Sequence, residues 1–279
     1  MAGKILVLGA TGTVGTPLVA DLVTAGERVK AASRNATPVA GAEAVRFDYA
    51  DPSSFNPAFE DVDRVYVLLP SGYLDVTDPL QSVVHAAVVR KVKVVLQTAL
   101  GVDADDNIPY RQVELFLEKS GTPFVILRPN WFSDNFHRFW LAGINEGVIG
   151  VPAADGKSSF IDVRDIAASA AAAFRTDRFD GNAFNLTGPE ALSYHDAAAI
   201  LSEVAGRTIT YTPVDDETFI GTLTGAGLSH DYAALLVSLF GAVRAGATAV
   251  VTGDVETLTG GAARSLKTYA SDHAEAFGG

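Results

Sequence analysis

Three glycines, Gly9, Gly12 and Gly15, stand at equal spacing in VLGATGTVGTPL (residues 7–18), directly behind the apolar run ILVL of residues 5–8. In a strand-turn-helix of this kind one glycine permits a tight turn, another lets the backbone come near a pyrophosphate, and the last lets the helix pack closely on the sheet. Phosphates then sit at the positive end of the helix, held by unpaired amide N–H groups. The spacing is G-x-x-G-x-x-G rather than G-x-G-x-x-G, and a tight turn without a ligand is the plain alternative. Its place after the first strand of a β-α-β unit favours the dinucleotide. An NAD site would carry Asp or Glu about 20 residues further on, against the ribose hydroxyls. This chain has Ser33, Arg34 and Asn35 there. A guanidinium stacks on adenine and pairs with a 2′-phosphate that a carboxylate would repel, so NADP(H) is the expected cofactor.

Such residues need strands to carry them. Apolar runs at 4–8, 28–33, 44–47, 64–69, 93–98 and 124–127 read as strands, and 14–25, 76–90 and 108–120 as helices between them. Strands alternating with helices mean an α/β fold: a Rossmann-type doubly wound parallel sheet. Beyond Pro129 the rhythm becomes mostly helical, at 165–174, at 194–205 and in three segments after Asp215. Residues 1–150 are therefore expected to form the NAD(P)-binding domain. Residues 151–279 form a mixed region that completes the sheet and supplies a smaller helical substrate-binding portion at its carboxyl edge.

Composition excludes several classes of function. The 279 residues carry 21 basic and 33 acidic side chains, a net charge of −12 that repels nucleic acid and anionic membrane alike. No apolar stretch reaches the ~20 residues of a membrane span. With no cysteine there is no thiolate chemistry, and the simplest address is the cytoplasm. The five histidines (His85, His137, His195, His230, His273) have no metal-ligand spacing, so no metal is expected. Asp162 and Asp165 read as loop-fixing and helix-capping groups rather than a catalytic pair. Gly-x-Ser-x-Gly is absent, which leaves a hydrolase without support.

GATGTVG, VKAASRN, RFDYADPSSF, the run SG-x-PF-x-ILRPNWFSDNF at 120–136, FIDVRDIA at 160–167 and NLTGPEALSYHDAA from residue 185 together resemble the NmrA-like branch of the atypical short-chain dehydrogenases/reductases. Within it the chain looks nearest to bacterial NADPH-dependent reductases of quinones, azo compounds and triphenylmethane dyes. The resemblance implies that Thr11, Gly12, Thr13 and Val14 line the diphosphate beside Gly9, and that Arg34 meets the 2′-phosphate. It places Asp48 at the adenine, Leu69 and Pro70 at the ribose, and Thr98 facing the nicotinamide, with Pro129, Asn130, Trp131 and Phe132 around it.

One position departs from the superfamily. Ordinary members use Tyr-x-x-x-Lys, in which the lysine lowers the tyrosine pKa so that the phenol passes a proton to a carbonyl. Here Tyr110 is followed four residues later by Glu114. A reductase that delivers hydride to an electron-poor acceptor does without that relay, since the cofactor carries the hard chemistry. The substrate is then a small aromatic or conjugated molecule. Its pocket is assigned to Tyr73, Trp131, Asn135, Phe136 and His137, with Phe139 and Trp140 behind them and the apolar stretch 233–251 as a roof. Thr98 and Tyr110 are the candidate catalytic groups. Two other readings stand beside this one: an NADP-binding redox sensor without turnover, and a ketone, enone or imine reductase using Tyr110 or Thr98 as donor. A homodimer is left open.

Overall fold

The computed structural model describes residues 3–278, which divide into two compact units. The first comprises the chain up to Pro129, Val163–Leu186 and Asp254–Gly260; the second comprises Asn130–Asp162, Thr187–Gly253 and the chain from Gly261 on. The sequence division near residue 150 thus falls inside the second unit. The chain re-enters the first unit twice, once for a helix and a strand and once for a short helix.

The first unit is a seven-stranded, all-parallel sheet. Strands β1 (Lys4–Leu8), β2 (Val29–Ser33), β3 (Glu43–Arg46), β4 (Val62–Val67), β5 (Lys93–Gln97) and β6 (Phe124–Pro129) alternate with α1 (Gly15–Thr24), α2 (Phe55–Phe59), α3 (Thr77–Val89) and α4 (Pro109–Glu118). After the chain's excursion through β7 (Val148–Ile149), β8 (Lys157–Ser158) and the intervening α5 (Leu141–Asn145), α6 (Val163–Phe174) and β9 (Asn182–Leu186) return to the sheet. Strand order is β3-β2-β1-β4-β5-β6-β9. Runs such as ILVL in β1 and VVL in β5 are buried without alternation, as strands covered on both faces must be. Helices α2 to α4 pack on one face, where Leu6, Val65, Leu96 and Ile126 meet Val83, Val113 and Leu117. Helices α1 and α6 pack together on the other, joined by α10 (Asp254–Thr259).

Because all seven strands run the same way, the residues after β1 to β6 gather at one sheet edge. The order reverses between β1 and β4, and there an open α/β sheet binds its ligand. The glycine turn follows β1, and Leu68 to Pro70 follow β4. Helix α6 begins at Val163, so Asp165 lies in its first turn rather than at the capping position.

The second unit holds two small sheets, β7 paired with β11 (Thr210–Tyr211) and β8 with β10 (Leu192–Ser193), and helices α5, α7 (Tyr194–Ala205), α8 (Asp216–Gly225), α9 (His230–Arg244) and α11 (Leu266–Asp272). Local chemistry sets the helix ends. Ser193 and Asp196 make a reciprocal capping box at α7, and Asp215, Ser229 and Ser265 each accept a backbone N–H at the start of α8, α9 and α11. Of the apolar stretch 233–251, only the part up to Arg244 is helical. The core is aromatic: Phe136 packs on Trp140 and Phe160 at 4.9 and 5.0 Å, and Trp131 on Phe240 at 4.8 Å between ring centres. Among the described residues no helix is long and apolar enough to cross a membrane.

Candidate active site

The glycine turn works as three different constraints. Gly9 has φ +65°, a left-handed conformation that supplies the turn itself. A Cβ on Gly15 would lie 2.1 Å from the Gly9 carbonyl oxygen, so only glycine lets α1 start this close to the loop. A Cβ on Gly12 would sit at 3.1 Å from the same oxygen, in an exposed part of the turn. Val14, at the N-cap of α1, makes no side-chain cap, and the first turn holds no acidic residue. Among the described residues the N–H groups of Thr11, Thr13 and Val14 donate to no backbone carbonyl outside the helix ladder. The turn therefore presents open donors at a positive helix end, where an anion belongs.

Arg34 and Asn35, just past β2, are exposed, and among the described residues neither side chain has a hydrogen-bond or ion-pair partner. Ser33 is occupied, since its Oγ accepts the Thr37 N–H at 2.8 Å. Asp48 forms a turn: its Oδ1 accepts the Ala50 N–H at 3.0 Å and its own N–H donates to Ser54. Leu69 is half-buried and Pro70 exposed at the end of β4. Tyr73, assigned by sequence to the substrate, sits instead beside Tyr49, 6.2 Å between ring centres. The two line a cleft of about 390 Å³ with Asp75, Asp78 and Pro79. Tyr49 donates its hydroxyl to the Leu68 carbonyl, and burial pushes its pKa up, with Tyr73 and Tyr110 nearby adding to the effect.

At the position of the superfamily lysine the structure has a closed charge network. Glu114 on α4 is 0% exposed. Arg128 on β6 grips it with both prongs, Nε to Oε1 at 3.0 Å and Nη2 to Oε2 at 2.7 Å, while its Nη1 reaches Asp103. Arg111, one turn before Glu114, donates to Oε2 at 2.9 Å and to Glu118 at 2.7 Å. It faces these carboxylates. Thr98, after β5, donates its hydroxyl to Glu114 Oε1 at 2.7 Å. A hydroxyl has one proton. Thr98 therefore has none left for a substrate, which corrects its expected role as a donor. Tyr110 packs, partly buried, on the α2–α4 face.

Pro129 belongs to the first unit and Asn130 to the second. Asn130 is buried with its amide fully used: Nδ2 donates to Ser159 Oγ at 2.7 Å and to the Thr248 carbonyl at 2.8 Å, and Oδ1 accepts the Trp131 N–H. It clamps its own unit rather than meeting a ligand. The main chain of Trp131 to Ser133 is pinned along Ile161 by two bonds of 2.9 Å, with Phe132 in the bridge. Phe136 is fully buried in the aromatic core, and so is no pocket wall. Trp131, Asn135 and His137 are only partly buried, and Phe139 is 70% exposed. His137 meets the Tyr269 hydroxyl through Nδ1 and stacks on His273 at 4.8 Å, and its pKa is lowered to about 4 by burial and by the neighbouring His273 and Arg138.

The sequence matches the NmrA-like family model over residues 1–267. The chain belongs to the NmrA-like family of NAD(P)H-dependent oxidoreductases. An uncharacterized oxidoreductase, YesF of Bacillus subtilis, is 35% identical to it over 97% of this chain and 95% of its own. An NAD(P)H azoreductase of Xenophilus azovorans is 31% identical over 98% and 99%. Among solved structures, the Escherichia coli quinone oxidoreductase QOR2 complexed with NADPH superposes with a TM-score of 0.84 at 23% identity, over 97% of this chain and 99% of that one. Set against this NmrA-like background, the groups that sequence reasoning missed are Arg128, Asp103 and Tyr269. Arg128 carried a signal: an arginine inside the buried strand FVILRP needs a counter-charge, and Glu114 is the buried carboxylate that meets it. Tyr269 carried none, being 132 residues from His137.

Proposed function

We propose that this protein is an NADPH-dependent reductase that transfers hydride to an electron-poor small molecule, a quinone, azo, dye-like or conjugated carbonyl compound. The observation that carries this is Glu114. The place of the proton-relay lysine holds a buried carboxylate, neutralised by Arg128 and Arg111 and hydrogen-bonded by Thr98. Nothing in that network lowers a phenol pKa or releases a proton. The acceptor must then accommodate the incoming electron pair itself and take its proton from water.

The dinucleotide supplies the hydride when bound. The protein's part is to bind and orient. The open amides of Thr11, Thr13 and Val14 at the start of α1 suit its diphosphate, and Arg34, which has no side-chain partner among the described residues, suits a 2′-phosphate. Leu69, Pro70 and Pro129, at the ends of parallel strands, are placed to border the ribose and nicotinamide. The absence of cysteine and the acidic charge suit a cytoplasmic address.

Oxidation of NADPH and NADH, followed with a panel of quinones, azo dyes and unsaturated carbonyls, tests the reading. Turnover is expected with quinones or azo compounds, with NADPH preferred. Tight NADPH binding with no turnover on any acceptor overturns it in favour of a sensor. Loss of turnover in Tyr110→Phe overturns it in favour of a carbonyl reductase.

A further inference from the structure

We infer that Thr98 holds the cofactor by accepting a hydrogen bond: its hydroxyl oxygen takes the carboxamide N–H of the nicotinamide and gives its own proton to no ligand. The inference deepens the reductase reading above and rests on it. Every residue it needs lies in the first unit.

The direction of the hydrogen bond follows from what surrounds Glu114. Arg128 binds both carboxylate oxygens, at 3.0 and 2.7 Å, and Arg111 adds a further N–H at 2.9 Å, so guanidinium groups converge on a carboxylate, which only accepts. The 2.7 Å contact between Thr98 Oγ1 and Glu114 Oε1 therefore carries the Thr98 proton. A hydroxyl has one proton and two lone pairs. Among the described residues no N–H or O–H donates to Thr98 Oγ1, so the acceptor side of this buried group, 6% exposed, is unused. Such an oxygen can meet a donor and repels another acceptor.

The sheet decides which donor comes within reach. The open amides after β1 suit the middle of a dinucleotide and Arg34 after β2 suits the phosphate of its adenosine half, so the other half lies across the switch point, over β4 and β5. Thr98 is the first residue beyond β5. That strand runs beside β4 with Val67 opposite Leu96, one strand spacing of about 4.8 Å away. Two backbone bonds, from the Thr98 N–H to the Leu127 carbonyl at 2.9 Å and from the Leu100 N–H to the Pro129 carbonyl at 3.0 Å, tie the segment to β6 and fix where the hydroxyl stands.

An oxygen that only accepts discriminates between the two ligands of a reductase. Quinone oxygens and azo nitrogens are themselves acceptors, with no N–H or O–H at the reacting atoms, so Thr98 does not recognise the substrate. The nicotinamide ring carries one amide, whose NH₂ donates. Holding that amide limits rotation of the ring about its bond to ribose, and with it which face is turned to the acceptor.

Calorimetric titration with NADP⁺ and with its 3-acetylpyridine analogue tests this, because a methyl ketone in place of the amide keeps the carbonyl and removes the donor. The wild type is expected to bind NADP⁺ about tenfold more tightly than the analogue. Thr98→Val, close to threonine in shape, should lose about tenfold for NADP⁺ and stay within about twofold for the analogue, so that the preference vanishes. Thr98→Ser, which keeps the hydroxyl, should keep the preference. Equal affinity of the wild type for the two nucleotides overturns the inference, and that comparison needs no variant to fold. So does a preference that survives Thr98→Val, or an equal loss for both nucleotides, which would put Thr98 at a group they share, such as a ribose hydroxyl. In each of these cases the reductase reading stands. If the wild type binds neither nucleotide, both fall.

Discussion

The glycine turn and the Glu114 network lie at the same edge of one sheet and differ in a single respect. Around Glu114 every charged group has found a partner inside the protein: Arg128, Arg111 and Thr98 surround the carboxylate, and Asp103 takes the remaining prong of Arg128. In the glycine turn the N–H groups of Thr11, Thr13 and Val14 and the Arg34 guanidinium have found none among the described residues. Buried polar groups that satisfy one another fix a geometry, whereas exposed ones left open are available for a ligand. The contrast teaches that a charged residue at a family's catalytic position can serve the scaffold, while the ligand is read elsewhere.

That contrast can be broken from either side. The largest effect is expected at Arg128→Met, which leaves the Glu114 carboxylate buried without its bidentate partner; urea unfolding should show a loss of about 3–5 kcal/mol. Gly15→Ala comes next. Its new methyl meets the Gly9 carbonyl, and the backbone shift should cost on the order of 2 kcal/mol and weaken NADPH binding as well, by the same urea titration and by fluorescence. Arg34→Ala should do the opposite of Arg128→Met. NADPH affinity should fall about 10- to 100-fold and NADH affinity should hold, with stability within about 0.5 kcal/mol of wild type. Smallest is Tyr110→Phe, for which turnover with a quinone should stay within twofold.

Acid provides a further probe in the second unit. His137 has a folded pKa of about 4 against an ordinary value of 6.5. Between those two values the unfolded chain binds a proton that the folded chain refuses. Its contribution to stability is therefore complete above pH 6.5 and is lost as the pH falls toward 4. Unfolding midpoints across that window, with histidine chemical shifts followed in parallel, check both the direction and the residue.

Much of the first unit was legible because its strands announce themselves. ILVL, VYV and VVL are uninterrupted apolar runs, the glycine turn follows the first of them directly, and Arg34 follows the strand VKAAS. β9 was not, because NAFNL mixes polar and apolar residues as an edge strand does, and only its last residue is buried. Helix α10 was read as part of the C-terminal portion, since nothing local in DVETLT states which unit it joins. In the site, roles that depend on backbone followed from spacing, as at Gly9 and Gly15. Roles that depend on side-chain partners far along the chain did not: Asn130 looks like a ligand-facing polar group until Ser159 and Thr248 are seen to use its amide. Phe136 and His137 are neighbours in sequence, yet one fills the core and the other meets Tyr269.

The five crossings of the chain between its two units bear on biosynthesis. While a ribosome is still making residues 130–181, the β6 edge has no partner, because β9 does not yet exist, and α10 emerges later still. An unpaired strand edge in a nascent chain invites aggregation. The sheet can close only after most of the polypeptide has left the exit tunnel, so a fragment ending at residue 150 should accumulate as insoluble material.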